Sequence, residues 1–112
     1  MAWVLDPTLA RDTLAVASLS LSELLLMNDA RYPWCILVPR RADVTEWHHL
    51  DSKDQQALNR EISAVSPVLA AQPEVQKLNV GALGNRVRQL HVHIVGRHAG
   101  DPAWPDPVWG FG

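Results

Sequence analysis

Residues 89–95, which read QLHVHIV, constrain the fold of this chain more than any other segment. Side chains alternate between the two faces of a strand, so Gln89, His91 and His93 are predicted to share one face. The apolar residues between them then form the opposite face, which can pack beneath a helix. We therefore predict the clearest strand of the chain at Arg88 to Val95, with its polar side chains in a row on an open face of the sheet.

The segments before this strand predict further strands. Residues 12–28 combine alternation with a short apolar run and indicate one or two strands. Residues 34–38 are rich in residues that favour strands and are followed by Pro39, so they predict a strand that returns antiparallel to the first and forms a hairpin. Residues 77–81 predict a short strand, and the glycines in residues 81–85 are suited to a tight loop.

One main helix is predicted between these groups of strands. Asp51 and Ser52 are candidate N-cap residues. Apolar residues at spacings of four, three and four then share one helical face: Leu58, Ile62, Val65 and Leu69. Pro67 lies inside this pattern and predicts either a kink or a helix that ends a turn early. The order of strands, helix and strands indicates an α+β domain with a mainly antiparallel sheet and the helix on one face.

Length and composition bound the class of protein. The 112 residues suffice for one domain, which we assign to 1–112 with a Pro/Trp-rich C-terminal tail from about 98 to 112. A formal net charge of −2 argues against broad binding of duplex nucleic acid. Cys35 is the single cysteine, and neither a signal peptide nor an apolar run of membrane-spanning length is recognisable. We expect a cytoplasmic protein without a membrane partner.

The histidine pair on one strand is the candidate for chemistry. Imidazole has an ordinary pKa near 6.5, so it can act as nucleophile, base or acid at neutral pH. Backbone N–H groups at Gly81, Gly84 and Asn85 could meet an oxyanion ahead of the strand. Three arginines flank the strand and could hold phosphate through two parallel hydrogen bonds: Arg86, Arg88 and Arg97.

Two other interpretations of the pair remain open at this point. A His-x-His pair on a strand can begin a metal site, but a catalytic zinc site needs a third protein ligand, and the next candidates are His98 and Asp101 in the tail. Alternatively, the two histidines are surface residues without chemistry on a half-exposed strand.

The sequence around the pair resembles the signature of the histidine triad (HIT) proteins, which are nucleotide hydrolases and transferases. Their pattern has three histidines separated by single hydrophobic residues and followed by two more hydrophobic residues. His91 and His93 match the second and third histidines, and Gln89 replaces the first. The continuation from His98 to Asp101 is similar to that of the dinucleoside polyphosphate hydrolases of the family. The predicted strands and helix also follow the family order over nearly the whole chain.

The resemblance implies an architecture as well. It implies a HIT-like fold with a five-stranded, mainly antiparallel sheet, one main helix and a short one. It further implies a homodimer in which the strands of two subunits form one larger sheet. The tail with Trp104 and Trp109 then packs either on its own subunit or near the site of the neighbouring subunit.

The resemblance also implies a two-step nucleotidyl transfer. His91 attacks the α-phosphorus, His93 donates to phosphate or leaving-group oxygens, and Gln89 orients a neighbour in place of the first histidine. The implied nucleotide-binding residues are Asn28 at the ribose, where a plain turn residue is the alternative, together with Asn79, Gly84, Asn85 and Arg86.

No resident metal or other cofactor is implied, although the substrate can be presented as a complex with a divalent cation. The implied substrate is a nucleotide or dinucleotide, such as a dinucleoside polyphosphate or a nucleoside phosphoramidate. Two alternative functions stay open. Gln89 suggests a nucleotide-binding module with little or no turnover, and the His-x-His pair suggests a metal-dependent hydrolase.

Overall fold

Five antiparallel strands form the centre of the computed structural model, which describes residues 2–112. The strands are β1 (Thr13–Ser18), β2 (Ser22–Met27), β3 (Trp34–Pro39), β4 (Lys77–Gly81) and β5 (Val92–Arg97), and the helices are α1 (Pro7–Asp12), a 3-10 turn (Trp47–His49) and α2 (Ser52–Ala70). The strand order in the sheet is β1-β2-β3-β5-β4. The predicted α+β domain, its hairpin from β2 to β3 and its single main helix are confirmed. Met1 of the predicted domain lies outside the described residues.

Helix α2 begins where the capping residues predict. The Asp51 carboxylate accepts a hydrogen bond from the Asp54 backbone N–H at 2.8 Å, so Asp51 is the N-cap and Ser52 is the first helical residue. The helix does not end a turn early at Pro67 but continues to Ala70. The continuation buries Leu69 against the sheet, and the Ala71 N–H donates to the Pro67 carbonyl. Packing of this last turn therefore outweighs the backbone hydrogen bond that proline removes.

The inner face of α2 contains one residue that the apolar pattern does not predict. Leu58, Val65 and Leu69 are buried as predicted, whereas Ile62 is only partly buried and Glu61 is buried beside them. The Glu61 carboxylate accepts hydrogen bonds from the Leu21 backbone N–H at 2.8 Å and from the Ser20 hydroxyl at 3.2 Å. Glu61 therefore joins α2 to the turn between β1 and β2, which explains a buried acid at this position.

Strand β5 begins later than predicted. It spans Val92–Arg97 instead of Arg88 to Val95, because neither neighbouring strand pairs with the chain before Val92. At the other end, Gly96 and Arg97 stay in the sheet opposite Leu78 and Lys77 of β4. The predicted division of faces holds within this shorter strand. Leu90, Val92 and Ile94 pack with the residues of α2, and the histidines face the opposite side.

That opposite side is not open, contrary to the prediction. Leu9 of α1 and Val108 of the tail pack over it together with Trp34, and His91 and His93 are each only 6% exposed. The tail has no helix or regular strand, as expected from its prolines. Trp109 is partly buried against this cluster, whereas Trp104 stays 40% exposed. The tail therefore packs on its own chain.

Gly96 lies where strand β5 is closely covered. A Cβ atom at this position would lie 2.9 Å from Val75 Cγ2 and 3.3 Å from Pro33 Cγ, both closer than side chains normally approach. We expect Gly96→Ala to lower the free energy of unfolding by about 1–3 kcal/mol, as overpacking does in a filled core. Urea denaturation measures the change. Gly112→Ala, where no atom lies within 4 Å, is the control, and equal stability of both variants would contradict the packing described.

Candidate active site

His91 lines a cleft, and the partner of its Nδ1 atom fixes which ring nitrogen carries the proton. Its Nδ1 lies 2.7 Å from the backbone carbonyl oxygen of Gln89. A carbonyl only accepts hydrogen bonds, so Nδ1 carries the proton and donates it. In the neutral ring, Nε2 then holds a lone pair. The cleft that His91 lines has a volume of about 1090 Å³, so a ligand in the cleft can contact His91.

His93 is held in the opposite tautomer by Trp34. The indole Nε1–H donates to His93 Nδ1 at 3.0 Å, and indole can only donate. Nδ1 must therefore be the acceptor, and the proton of the neutral ring lies on Nε2. The two imidazole centroids are 4.8 Å apart at an interplanar angle of 67°. The pair thus combines one nitrogen with a free lone pair and one N–H donor.

His93 remains uncharged at neutral pH. Burial lowers its pKa from 6.5 to about 3, and the neighbouring His91 adds a smaller effect in the same direction. The ring of Trp109 lies on another side, with its centroid 5.5 Å from that of His93. Within residues 2–112, no carboxylate forms a hydrogen bond with His93 that would favour the imidazolium. His93 is therefore a neutral hydrogen-bond donor.

The burial of His93 makes the folded protein less stable as the pH falls. Between about pH 6.5 and 3 the unfolded chain protonates His93 while the folded chain does not. The unfolded state then binds more protons, so the free energy of unfolding falls as the pH decreases, by up to ~1.4 kcal/mol per pH unit from this group. Urea denaturation between pH 7 and 5 should show this dependence. His93→Gln should flatten it, and the exposed control His48→Gln should retain it. An unchanged slope in His93→Gln would contradict a neutral buried imidazole.

Most of the predicted nucleotide-binding residues line the same cleft as the histidines. Asn28 lies there at the end of β2, and the loop after β4 contributes Gly84, Asn85 and Arg86. Gly84 adopts φ +74°, a left-handed conformation that glycine reaches without strain. Arg86 is exposed, and no carboxylate among residues 2–112 forms an ion pair with it. The structure thus brings an available cation and a glycine loop to the histidine pair.

Gln89 contributes to the site through its backbone only. Its side-chain amide donates to the Val4 carbonyl at 2.9 Å, and its Oε1 accepts from the Asp6 backbone N–H at 2.9 Å. The side chain therefore binds the N-terminal segment. The resemblance implied that it orients a neighbouring histidine, but it forms no hydrogen bond with either one. The reason is that β5 begins only at Val92, so strand alternation does not extend back to residue 89. Its carbonyl is what holds His91.

Asn79 and Arg97 lie away from the cleft. Arg97 is 1% exposed and donates to Asp101 at 2.7 and 3.0 Å, to Asn79 Oδ1 at 2.8 Å and to the Asp106 carbonyl at 2.8 Å. The prediction that Arg97 holds phosphate is wrong, because its guanidinium is committed to these internal partners. Asn79 faces a separate groove of about 620 Å³ between β4 and the tail. Arg88 is exposed and does not line the cleft.

Several residues of the cleft have no signal in the sequence. Three of the elements that frame it lie far apart along the chain: α1 with Arg11 and Asp12, the turn after β2 with Asp29 and Arg31, and the tail with Trp109 and Phe111. Arg31 forms an ion pair with Asp29 at 2.7 Å. The contact of Trp34 with His93 depends on a strand register that the sequence does not reveal.

The arrangement can support nucleophilic substitution at a phosphorus atom. It offers a nitrogen lone pair, an N–H donor beside it, a glycine loop and a free arginine. Among residues 2–112, no group of three or more His, Cys, Asp or Glu side chains is placed to hold a metal ion. No described helix is both long and apolar enough to cross a bilayer.

The chain is similar to a known protein family and to several solved structures. The HIT domain family matches residues 10–100. Histidine triad proteins of known crystal structure are similar over almost the whole chain. The protein from Bradyrhizobium japonicum is 51% identical with a TM-score of 0.95, and that from Sinorhizobium meliloti is 50% identical with a TM-score of 0.95. In both comparisons, 98% of this chain and 82% of the other are covered.

A histidine triad protein from Marinobacter aquaeolei is 45% identical with a TM-score of 0.97, covering 100% of this chain and 82% of that one. No match was found among curated proteins. The family match covers most of the chain, and the structural similarity confirms the HIT-like fold that the motif implied. This chain belongs to the histidine triad (HIT) family.

Proposed function

We propose that this protein is a nucleotide hydrolase or nucleotidyl transferase that acts on the α-phosphate of a nucleoside phosphate derivative. HIT proteins generally bind or hydrolyse nucleotides. The observation that carries the proposal is the opposite tautomers of the two histidines, His91 with a lone pair on Nε2 and His93 with a proton there. Attack on a phosphate needs one group of each kind, a nucleophile and a donor to the phosphate oxygens.

In the first step, Nε2 of His91 attacks the α-phosphorus. A Pα–Nε2 bond forms while the bond from phosphorus to the leaving group breaks, and the electron pair of that bond leaves with the leaving group. The Nδ1–H bond to the Gln89 carbonyl stabilises the positive charge that develops on the His91 ring. His93 Nε2–H and the backbone at Gly84 and Asn85 are the proposed donors to the phosphate oxygens.

In the second step, water or another acceptor attacks the same phosphorus. The Pα–Nε2 bond breaks and its electron pair returns to His91, so the neutral imidazole is restored. When water is the acceptor, the product is a nucleoside monophosphate and the proton of the water passes to solvent. Asn28, beside the histidines in the cleft, is the proposed ligand of the ribose hydroxyls.

Incubation of the protein with a diadenosine polyphosphate and with an adenosine phosphoramidate tests this proposal. Chromatography should show release of AMP from at least one of them, and the rate should survive EDTA. Tight binding of AMP in calorimetry without turnover would instead support the binding module suggested by Gln89. The position of that side chain argues against this alternative, because its amide forms hydrogen bonds with the backbone of Val4 and Asp6 and with neither histidine.

We also propose that the protein is a homodimer in the cytoplasm. Outer strands β1 and β4 each have one edge unpaired among residues 2–112, so a second copy can extend the sheet. Val80 on β4 and Val68 on α2 are exposed apolar residues of the kind that such an interface covers. Light scattering should give the mass of two chains, and a monomer at micromolar concentration would contradict the dimer.

A further inference from the structure

We infer, on the basis of the proposed function, that this site cleaves bonds whose leaving group departs as an oxyanion and discriminates against bonds from phosphorus to an amine. Trp34 is the positioning residue for this selectivity. It fixes His93 as a donor of a hydrogen bond that cannot transfer a proton. A phosphoanhydride is then a suitable substrate, whereas a phosphoramidate lacks the proton donor that its leaving group needs.

Trp34 is itself firmly held. It is buried on β3, where its backbone lies opposite Val95 of β5, two residues beyond His93. The ring of Tyr32 packs edge-on against it at a centroid distance of 6.2 Å. The indole and imidazole centroids of Trp34 and His93 are 5.8 Å apart. Because these rings are packed on several sides, the 3.0 Å hydrogen bond from Nε1 to His93 Nδ1 is a fixed feature of the site.

This hydrogen bond prevents His93 from acting as an acid. A proton on Nδ1 would point at the Trp34 N–H, so an imidazolium could form only if the bond were broken. The depressed pKa of His93 agrees with this geometry. The one proton of the ring lies on Nε2, and its transfer to a leaving group would leave an imidazolate anion. His93 therefore donates a hydrogen bond to the substrate and keeps its proton.

Among residues 2–112, the other groups that line the cleft do not supply that proton. The Nδ1 proton of His91 points to the Gln89 carbonyl, away from the lone pair. The carboxylates that line the cleft are ion-paired, Asp12 with Arg11 and Asp29 with Arg31, and the ion pair with Arg31 lowers the pKa of Asp29. Arg86 also lines the cleft, and because it is always protonated it serves only as a counter-ion. The part of the cleft that the structure describes thus suits a negatively charged leaving group and offers no general acid.

The two substrate classes differ in what happens to the bonding electrons. In a phosphoanhydride, the bond from Pα to the bridging oxygen breaks and the electron pair stays on that oxygen, which departs as a phosphate oxyanion without needing a proton. Arg86 is placed to balance this charge. In a phosphoramidate, the electron pair would stay on nitrogen, and an amine leaves only when that nitrogen receives a proton. General acids contribute about 10²- to 10⁴-fold to such steps.

The decisive experiment compares kcat/KM for diadenosine triphosphate and for the ethylamine phosphoramidate of AMP. We expect the anhydride to be preferred by at least about 100-fold. Equal kcat/KM values for the two substrates would overturn this inference and leave the proposed function intact. Cleavage of neither substrate, without a nucleotidyl-protein adduct, would overturn both.

Trp34→Phe separates positioning from simple packing, because it keeps an aromatic ring and removes the N–H. The ratio of the two kcat/KM values should narrow by about 10-fold, since His93 can then accept a proton on Nδ1. A purely structural role would lower both values together and leave the ratio unchanged. Tyr32→Phe is the matched control: its hydroxyl is buried without a hydrogen-bond partner in the described residues, so the ratio should not move.

Nitrogen-15 NMR of the histidine rings gives a readout independent of activity. In the parent protein, His93 should show an unprotonated Nδ1 and a protonated Nε2 from pH 5 to 8. In Trp34→Phe, this single tautomer should be lost. A cationic His93 in the parent protein over that range would overturn the inference whatever the substrate preference.

Discussion

Replacing His91 with alanine is expected to reduce nucleotide release by a factor on the order of 10⁴ to 10⁶, as loss of the nucleophile does in other covalent enzymes. In the proposed mechanism, Nε2 of His91 forms the bond to phosphorus, and His93 cannot substitute because its Nε2 carries a proton. The measurement is the rate of AMP release from a diadenosine polyphosphate under single-turnover conditions.

His48→Ala is the matched control for this variant. His48 is exposed at the 3-10 turn and lies outside the cleft, so its removal should leave the rate of AMP release unchanged. If His91→Ala retained activity within about tenfold of the parent, direct attack by His91 would be wrong, because loss of a nucleophile costs far more than that.

The second large effect is expected at Asp101. Its side chain is 0% exposed and binds Arg97, which is 1% exposed, through two hydrogen bonds. Asp101→Asn keeps the shape but leaves the Arg97 charge buried without its partner. We expect the free energy of unfolding to fall by about 3–5 kcal/mol, as it does when one member of a buried ion pair is removed. Urea denaturation at pH 7 measures the loss.

The same substitution on an exposed pair provides the comparison. Arg11 and Asp12 are 72% and 45% exposed, so Asp12→Asn should change stability by less than about 1 kcal/mol. The pH dependence of the buried pair has a definite sign. Arg97 holds the pKa of Asp101 well below its usual range, so this stabilisation is present at neutral pH and decreases as the pH falls below the ordinary aspartate pKa near 3.9. Equal losses in both variants would contradict the role of burial.

The Arg97 network also explains how the tail reaches the site. Arg97 at the end of β5 binds Asp101 and the Asp106 carbonyl, and its guanidinium carbon lies 5.7 Å from the centroid of the Trp104 ring. These contacts fix the first half of the tail against the sheet. The second half then brings Trp109 to within 5.5 Å of the His93 ring, measured between centroids. One wall of the cleft therefore depends on an ion pair outside it.

Local patterns in the sequence predicted the elements because each pattern reflects a local physical rule. Alternation identified the strands, the Asp51 cap identified the start of α2, and the apolar residues flanking His91 and His93 identified the face under the helix. The beginning of β5 was not predictable in this way. A strand exists only where a neighbour pairs with it, and the pairing of β5 ends at Val92 opposite Leu37 of β3 and at His93 opposite Gly81 of β4.

The parts of the site that the sequence did not predict depend on contacts between residues far apart in the chain. Trp34 and His93 are 59 residues apart, and their hydrogen bond exists because β3 and β5 are adjacent in one register. Arg97 looked like a phosphate ligand because the flanking sequence gave no sign that Asp101 and Asn79 would enclose it. The motif singled out His91 and His93, which both line the cleft, and tertiary packing decides which nitrogen of each histidine is available.

The central claim is that His91 becomes covalently bound to the nucleotide. Rapid acid or denaturant quenching of the protein with a diadenosine polyphosphate, followed by intact mass spectrometry and peptide mapping, tests it directly. The account predicts one adenylyl group per chain, attached to His91 and absent from His91→Ala. Turnover without any adduct, or an adduct on His93 or another residue, would contradict it.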